Sequence, residues 1–142
     1  MRLVDANVLL YAVNSPARQH AEASAWIDRA LVGQEAVGFA WGVVLAFLRI
    51  ATHPRIFQRP LTSEDALRRV RAWLTQPTAV IVMPMSRHLD VLAGLLGQVG
   101  VGGNLVHDAH LAALAVEHGA SIVTFDVDFA RFPGVPFGPP GS

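Results

Sequence analysis

Short apolar runs alternate with longer stretches of helical periodicity along most of this chain. Arg2-Leu3-Val4 reads as a strand that stops at Asp5, and Ala6-Asn7 leads into Val8-Leu9-Leu10-Tyr11 as a turn or helix start. After Ser15-Pro16 a helix is predicted from about Ala17 to Leu31, closed by Gly33. A second strand, near Ala36 to Ala40, runs into a helix from Trp41 to Thr52 that His53-Pro54 terminates. That helix is apolar nearly all round, which predicts a central position. Thr62-Ser63-Glu64-Asp65 is a capping sequence for a helix carrying Ala66, Leu67, Val70, Trp73 and Leu74, which ends before Pro77. Ala79 to Met83 reads as a strand, Arg87 to Val99 as a helix, Asn104 to His118 as another helix, and Ser121 to Phe125 as a strand ending at Asp126. The Gly- and Pro-rich tail holds at most an edge strand near Val135 to Phe137.

Strands taking turns with helices imply a parallel sheet with helices on both faces. The fold class expected is therefore α/β, one domain over residues 1–138 with a central parallel sheet of four to five strands, and residues 139–142 as a flexible C-terminal tail. In such sheets ligands bind beyond the carboxyl ends of the strands. Asp5 and Asp126 each stand at such an end.

Composition narrows the chemistry. The 142 residues fit one domain of ordinary size. The longest apolar run, Ala36 to Leu48, falls well short of the roughly 20 residues a membrane span needs and contains two glycines. With no signal peptide evident, the expected location is the cytoplasm. The absence of cysteine excludes disulfides, thiolate metal sites and cysteine nucleophiles. Basic and acidic residues balance at 11 each, and every basic residue is arginine. Net charge thus leaves no overall footprint for nucleic acid, although arginines crowd the middle of the chain and acids its last third.

Asp108 joins the two strand-end aspartates as a third candidate. At 100° per residue, Leu105, Ala109, Ala112 and Val116 form an apolar stripe with Asp108 at its edge, while His107, His110, Glu117 and His118 lie on the other side. A carboxylate set against the core needs a positive partner, either an arginine such as Arg49, backbone amides or a cation. Three converging carboxylates would raise one another's pKa unless a cation neutralised them. With oxygen donors only, Mg²⁺ or Mn²⁺ suits them, and such an ion would serve phosphodiester hydrolysis. Asp128 either joins them or caps the following turn. Asn7, Asn104 and Thr124 are candidates for orienting the acids, with helix capping an equal alternative for the two asparagines. The histidines read as surface or packing residues, since none makes a zinc-type i, i+4 arrangement.

These segments together resemble the PIN-domain nucleases, and among them the VapC toxins of bacterial toxin-antitoxin pairs. The matching stretches are Val4-Asp5-Ala6-Asn7-Val8-Leu9, Phe47-Leu48-Arg49 with Thr52-His53-Pro54, Gly103-Asn104-Leu105-Val106-His107-Asp108-Ala109-His110, Glu117-His118-Gly119, and Thr124-Phe125-Asp126-Val127-Asp128-Phe129. They follow family order across nearly the whole chain. The resemblance implies a PIN domain over residues 1–138 and a Mg²⁺- or Mn²⁺-dependent endoribonuclease cutting structured or single-stranded RNA such as tRNA, rRNA or mRNA. It implies Asp5, Asp108, Asp126 and Asp128 as catalytic acids, Arg49 with Arg55 and Arg59 behind it as the RNA-binding set, neutralisation by a cognate VapB antitoxin, and a homodimer. One departure stands out: family members commonly carry a glutamate three residues before the arginine of the middle helix, where this chain has Ala46. The alternative this motivates is a catalytically weak PIN-like domain acting mainly as a partner- or RNA-binding module. A receiver-type phosphotransferase also wants an aspartate after its first strand, but this chain has Asn7 where a second acid is needed and no lysine.

Overall fold

A computed structural model describes residues 1–100, 103 and 105–141. In chain order its elements are β1 (Arg2–Val4), α1 (Ala6–Val13), α2 (His20–Leu31), β2 (Val37–Ala40), α3 (Trp41–Ala51), α4 (Ser63–Leu74), β3 (Ala79–Val82), α5 (His88–Val99), α6 (Leu105–His118), β4 (Ser121–Val123), a 3-10 turn (Val127–Arg131) and β5 (Phe137–Gly138). The strands form one five-stranded sheet in the order β3-β2-β1-β4-β5, and every neighbouring pair is parallel. The expected α/β class and strand number therefore hold, with the tail supplying the fifth strand.

Strand order reverses around β1, which lies between β2 and β4 although β4 is the next-to-last strand in sequence. Such a reversal opens a crevice beyond the carboxyl ends of the two strands, because their following connections leave in opposite directions. Register fixes which residues meet there: Leu3 lies opposite both Gly38 and Ile122, and Val4 opposite Val123. Gly38 is required by packing, since a Cβ at that position would run into the side chains of Leu3 and Val82. Leu3, Val4, Phe39, Ile122 and Val123 form the buried centre of the sheet. α1 packs on α2 and α3, α3 on α4, and α5 on α6.

Several boundaries differ from the expectations for physical reasons. α2 begins at His20 rather than Ala17, because the amide of His20 closes a turn on the Ala17 carbonyl and the His20 ring is tied to the Tyr11 carbonyl at 2.9 Å. The strand expected to reach Phe125 ends at Val123, and Thr124 and Phe125 turn away to bond with residues after β1. α3 is not central: Val43, Val44, Phe47 and Ala51 are buried, whereas Trp41 is 49% and Leu45 60% exposed. An all-apolar helix here has one face in the core and one in solvent. Trp26 and Trp73 are buried within the chain. α6 departs from its expected stripe in the other direction, with Leu111 and Leu114 buried and Val116 exposed. No helix among the described residues is long and apolar enough to cross a membrane.

Candidate functional site

Asp5 is the N-cap of α1, and its carboxylate is held from three sides. Oδ1 accepts from the Ala6 amide at 2.7 Å, while Oδ2 accepts from the Thr124 hydroxyl at 2.7 Å and the Asn7 amide at 3.1 Å. Thr124 is 1% exposed, the only buried polar residue among those described, and its Oγ1 also accepts from the Asn7 side chain at 3.0 Å and the Asp126 amide at 3.0 Å. Asn7 completes the stitch by accepting the Phe125 amide at 3.1 Å. Asn7 and Thr124 thus join the end of β1 to the end of β4, and Asn7 does not act as a helix cap. Asp126 caps the 3-10 turn by accepting the Asp128 amide at 2.8 Å, so the capping role weighed for Asp128 belongs to Asp126. Asp128 itself is exposed.

Asp108 approaches from α6. It is partly buried and has no side-chain hydrogen-bond partner among the described residues. Its carboxyl is pushed up to about 6, first by burial and then by the charges of Asp5, Asp126 and Asp128. Burial likewise raises Asp5, opposed by the hydrogen bonds from Thr124 and Ala6 and reinforced by the charge of Asp126. All four acids therefore lie in one electrostatic field. Among the described residues no three acidic or imidazole groups stand close enough to enclose an ion as they are placed. The acids share a rim without forming a closed cage, so the gathering expected from the sequence is looser than that expectation. Asn104 lies outside the described residues.

Asp5 and Asp108 face a cavity of about 400 Å³ whose walls include Ala46, Arg49, His107 and His110. Arg49, exposed in the last turn of α3, brings a guanidinium to this wall as expected. Arg55 and Arg59 do not line it; they lie exposed in the segment between α3 and α4. That segment starts where the Thr52 hydroxyl bonds back to the Leu48 carbonyl at 2.7 Å and His53 Nδ1 accepts the Arg55 amide at 3.1 Å, so Thr52-His53 acts by ending α3.

Sequence reasoning missed a second polar cluster, which reaches this wall through His110. His88, at the start of α5, has Nε2 2.8 Å from His110 Nδ1 and Nδ1 2.6 Å from Glu117 Oε2. The other Glu117 oxygen accepts the Met85 amide at 3.2 Å. Burial, then His88 and His107, lower the His110 pKa, with Glu117 opposing them. A signal existed: Glu117 falls two helical turns after His110 on one face. The partner from α5 left no trace in spacing.

Together the fold and the acid-lined crevice define a nuclease-like α/β domain, and comparison with known proteins makes the class specific. The PIN domain family model matches residues 2–135. Ribonuclease VapC37 of Mycobacterium tuberculosis is 57% identical over 135 residues, covering 95% of this chain and 94% of its own length. Ribonuclease VapC33 of the same species is 41% identical, covering 93% and 92%. The chain belongs to the PIN-domain family, within its VapC ribonuclease branch. Among solved structures, VapBC2 from Rickettsia felis bound to a promoter DNA fragment superimposes with TM-score 0.71 at 17% identity, covering 97% of each chain. VapC20 of Mycobacterium tuberculosis, a sarcin-ricin loop cleaving toxin, does so with TM-score 0.69 at 14% identity, covering 92% and 93%. These distant likenesses concern the fold.

Proposed function

We propose that this protein is a divalent-metal-dependent endoribonuclease toxin of the cytoplasm, neutralised by a VapB-type antitoxin and assembling as a homodimer. The observation that carries the activity is the shared field of Asp5, Asp108, Asp126 and Asp128 beside a cavity with Arg49 on its wall. A relative at 57% identity over 135 residues bears the name ribonuclease. An all-oxygen donor set suits Mg²⁺ or Mn²⁺, and Asp5, Asp108 and Asp126 would hold it. When bound, such an ion activates water toward a phosphodiester and screens the charge that develops on it.

The chain's own residues do the rest. Thr124 and Asn7 fix the Asp5 carboxylate before any ligand arrives, so no reorientation is needed at the moment of binding. Arg49 positions an RNA phosphate over the acids, with Arg55 and Arg59 available to flanking segments of the strand. With net charge +0, general affinity for nucleic acid is modest, and selectivity falls to unstacked bases in an RNA loop. The exposed apolar face of Trp41 and Leu45 offers an antitoxin or a second subunit a place to bury area.

Ala46 on the cavity wall favours one other reading, a partner-binding domain with little catalysis. The deciding experiment titrates the purified protein with Mn²⁺ and follows cleavage of a mixed tRNA and rRNA pool beside Asp5→Asn. Metal-dependent cuts that EDTA stops and Asp5→Asn lacks are the expected result. Metal binding without cuts would hand the function to the binding-module reading.

A further inference from the structure

The cavity that Asp5, Asp108 and Arg49 share lies between α3 and α6, and at about 400 Å³ it is larger than a cation and one phosphate would fill. Its size falls in the range of about 300–1,000 Å³ usual for sites that enclose small organic groups, which are mostly apolar with a few polar side chains. The walls fit that description. From Gly42 to Leu48 α3 carries no polar side chain, and Gly42, Val43 and Ala46 line the cavity until Arg49 ends the wall with a guanidinium. Ala6 and Leu111 add apolar surface from α1 and α6.

Gly42 and Ala46, one helical turn apart, leave this space open. A Cβ at Gly42 would meet only His110 Cδ2, at an ordinary 3.8 Å, so packing within the chain does not demand a glycine there as it does at Gly38. Arg49 makes no ion pair among the described residues. Ala46 precedes it by three residues, about 4.5 Å of helical rise, so a nucleotide whose phosphate rests on Arg49 brings its own base to the apolar wall. A base taken out of its stack has two flat apolar faces that need cover. An apolar side chain from a protein would match the wall by shape alone, but it brings no anion to Arg49. A nucleotide brings the ring and the anion in one covalent unit.

We propose that the cavity receives one unstacked base of the bound RNA strand, the base of the nucleotide whose phosphate sits on Arg49, and that Gly42 and Ala46 are the residues that admit it. The inference rests on the ribonuclease reading for its ligand and gives the base a place where that reading had only phosphate and cation. A side chain longer than a methyl group at position 46 would occupy the space the base needs.

The test removes the base and the space for it, separately and together. Random-sequence single-stranded RNA heptamers, and sets of them abasic at one position at a time, are titrated against the full chain with Ca²⁺ in place of Mg²⁺ so that no strand is cut. Wild type should lose affinity at one position, roughly tenfold, the loss expected when an apolar ring returns to water. Ala46→Leu keeps a strong helix former and should bind the intact strand as weakly as wild type binds the abasic one, with no further loss when that base is removed. Gly42→Ala should weaken the intact strand in the same direction but less, while melting no lower than wild type. Base removal that costs wild type and both variants equally, or that costs wild type nothing at any position, sinks this inference and leaves the ribonuclease reading standing. Wild-type RNA affinity in Ala46→Leu together with a changed mass by light scattering would give the cavity to a protein side chain and overturn the base assignment. Failure of wild type to bind any strand sinks the ribonuclease reading itself and removes the ligand assigned to the cavity.

Discussion

Asp5 and Asp108 face the same cavity, yet the protein holds them by opposite means. Asp5 sits where β1 ends and is fixed by a hydroxyl, a side-chain amide and a backbone amide, the first two of which belong to a network that ties β1 to β4. Asp108 is placed only by its position on α6, without a side-chain partner among the described residues, and its neighbours are other acids. One carboxylate is preorganised and partly compensated; the other is left under repulsion. The lesson is that converging carboxylates need not all be settled by the fold alone. One is held by hydrogen bonds, and the other carries an electrostatic cost that a bound cation would relieve.

The contrast can be broken most forcefully at Asp108. Asp108→Ala should remove RNA cleavage by several orders of magnitude, since no other group on α6 replaces its oxygen; cleavage at the wild-type rate would take Asp108 out of the site. Next in size is Thr124→Val, which keeps the shape of a buried residue but strips Asp5 of its shortest side-chain bond. It should weaken Mn²⁺ binding by about 10- to 100-fold and lower stability by roughly 1–3 kcal/mol, read by calorimetric titration and thermal melting. Loss of stability with metal affinity untouched would show that the stitch serves only the sheet. A smaller effect is expected at Arg49, which carries charge to the rim without touching the acids in any ion pair among the described residues. Arg49→Ala should raise KM several-fold with kcat nearly constant, and reduce the salt slope of single-stranded RNA binding by about 0.7. Salt dependence equal to wild type would remove Arg49 from the phosphate path.

Asp108→Asn sharpens the comparison with the smallest change. The folded protein keeps the Asp108 proton up to about pH 6, whereas the ordinary value is 3.8. Between those values the folded state binds more protons than the unfolded one, so stability falls as pH rises, and above pH 6 the cost of ionisation is present in full. Metal-free Asp108→Asn should therefore melt a few degrees above wild type at neutral pH and no higher than wild type near pH 4. Solvent screening keeps this gain to roughly 1–2 kcal/mol. An equal or lower melting temperature at neutral pH would mean that the acids do not repel one another through the cavity.

Much of the architecture was legible because periodicity and punctuation agree: Asp5 stops a strand, Thr62 caps a helix through the Asp65 amide, and Gly119, at φ 62°, ends α6. Asp5 stands directly after β1, whereas β4 ends at Val123 and Asp126 comes after it, as the cap of the 3-10 turn. Less visible was anything decided by a partner distant in sequence. The exposed face of α3 could not be told from its buried face, since both are apolar and only the sheet beneath chooses between them. Thr124 was singled out for orienting the acids, but the three hydrogen bonds of its hydroxyl needed both strand ends in register. His88 and Glu117 lie 29 residues apart on different helices, and no spacing rule joins them.

The pairing of β1 with β4 has a consequence for the time before the molecule is finished. Asp5 and Thr124 are 119 residues apart, and the bond between them closes only when β4 docks beside β1. Synthesis delivers Asp5 long before Asp126. Any product cut short before β4 carries the leading aspartate but neither the hydroxyl that orients it nor the acid beside it. On the toxin reading proposed above, the late strand leaves broken copies without the assembled acids, and a neutralising partner need bind only copies that carry β4.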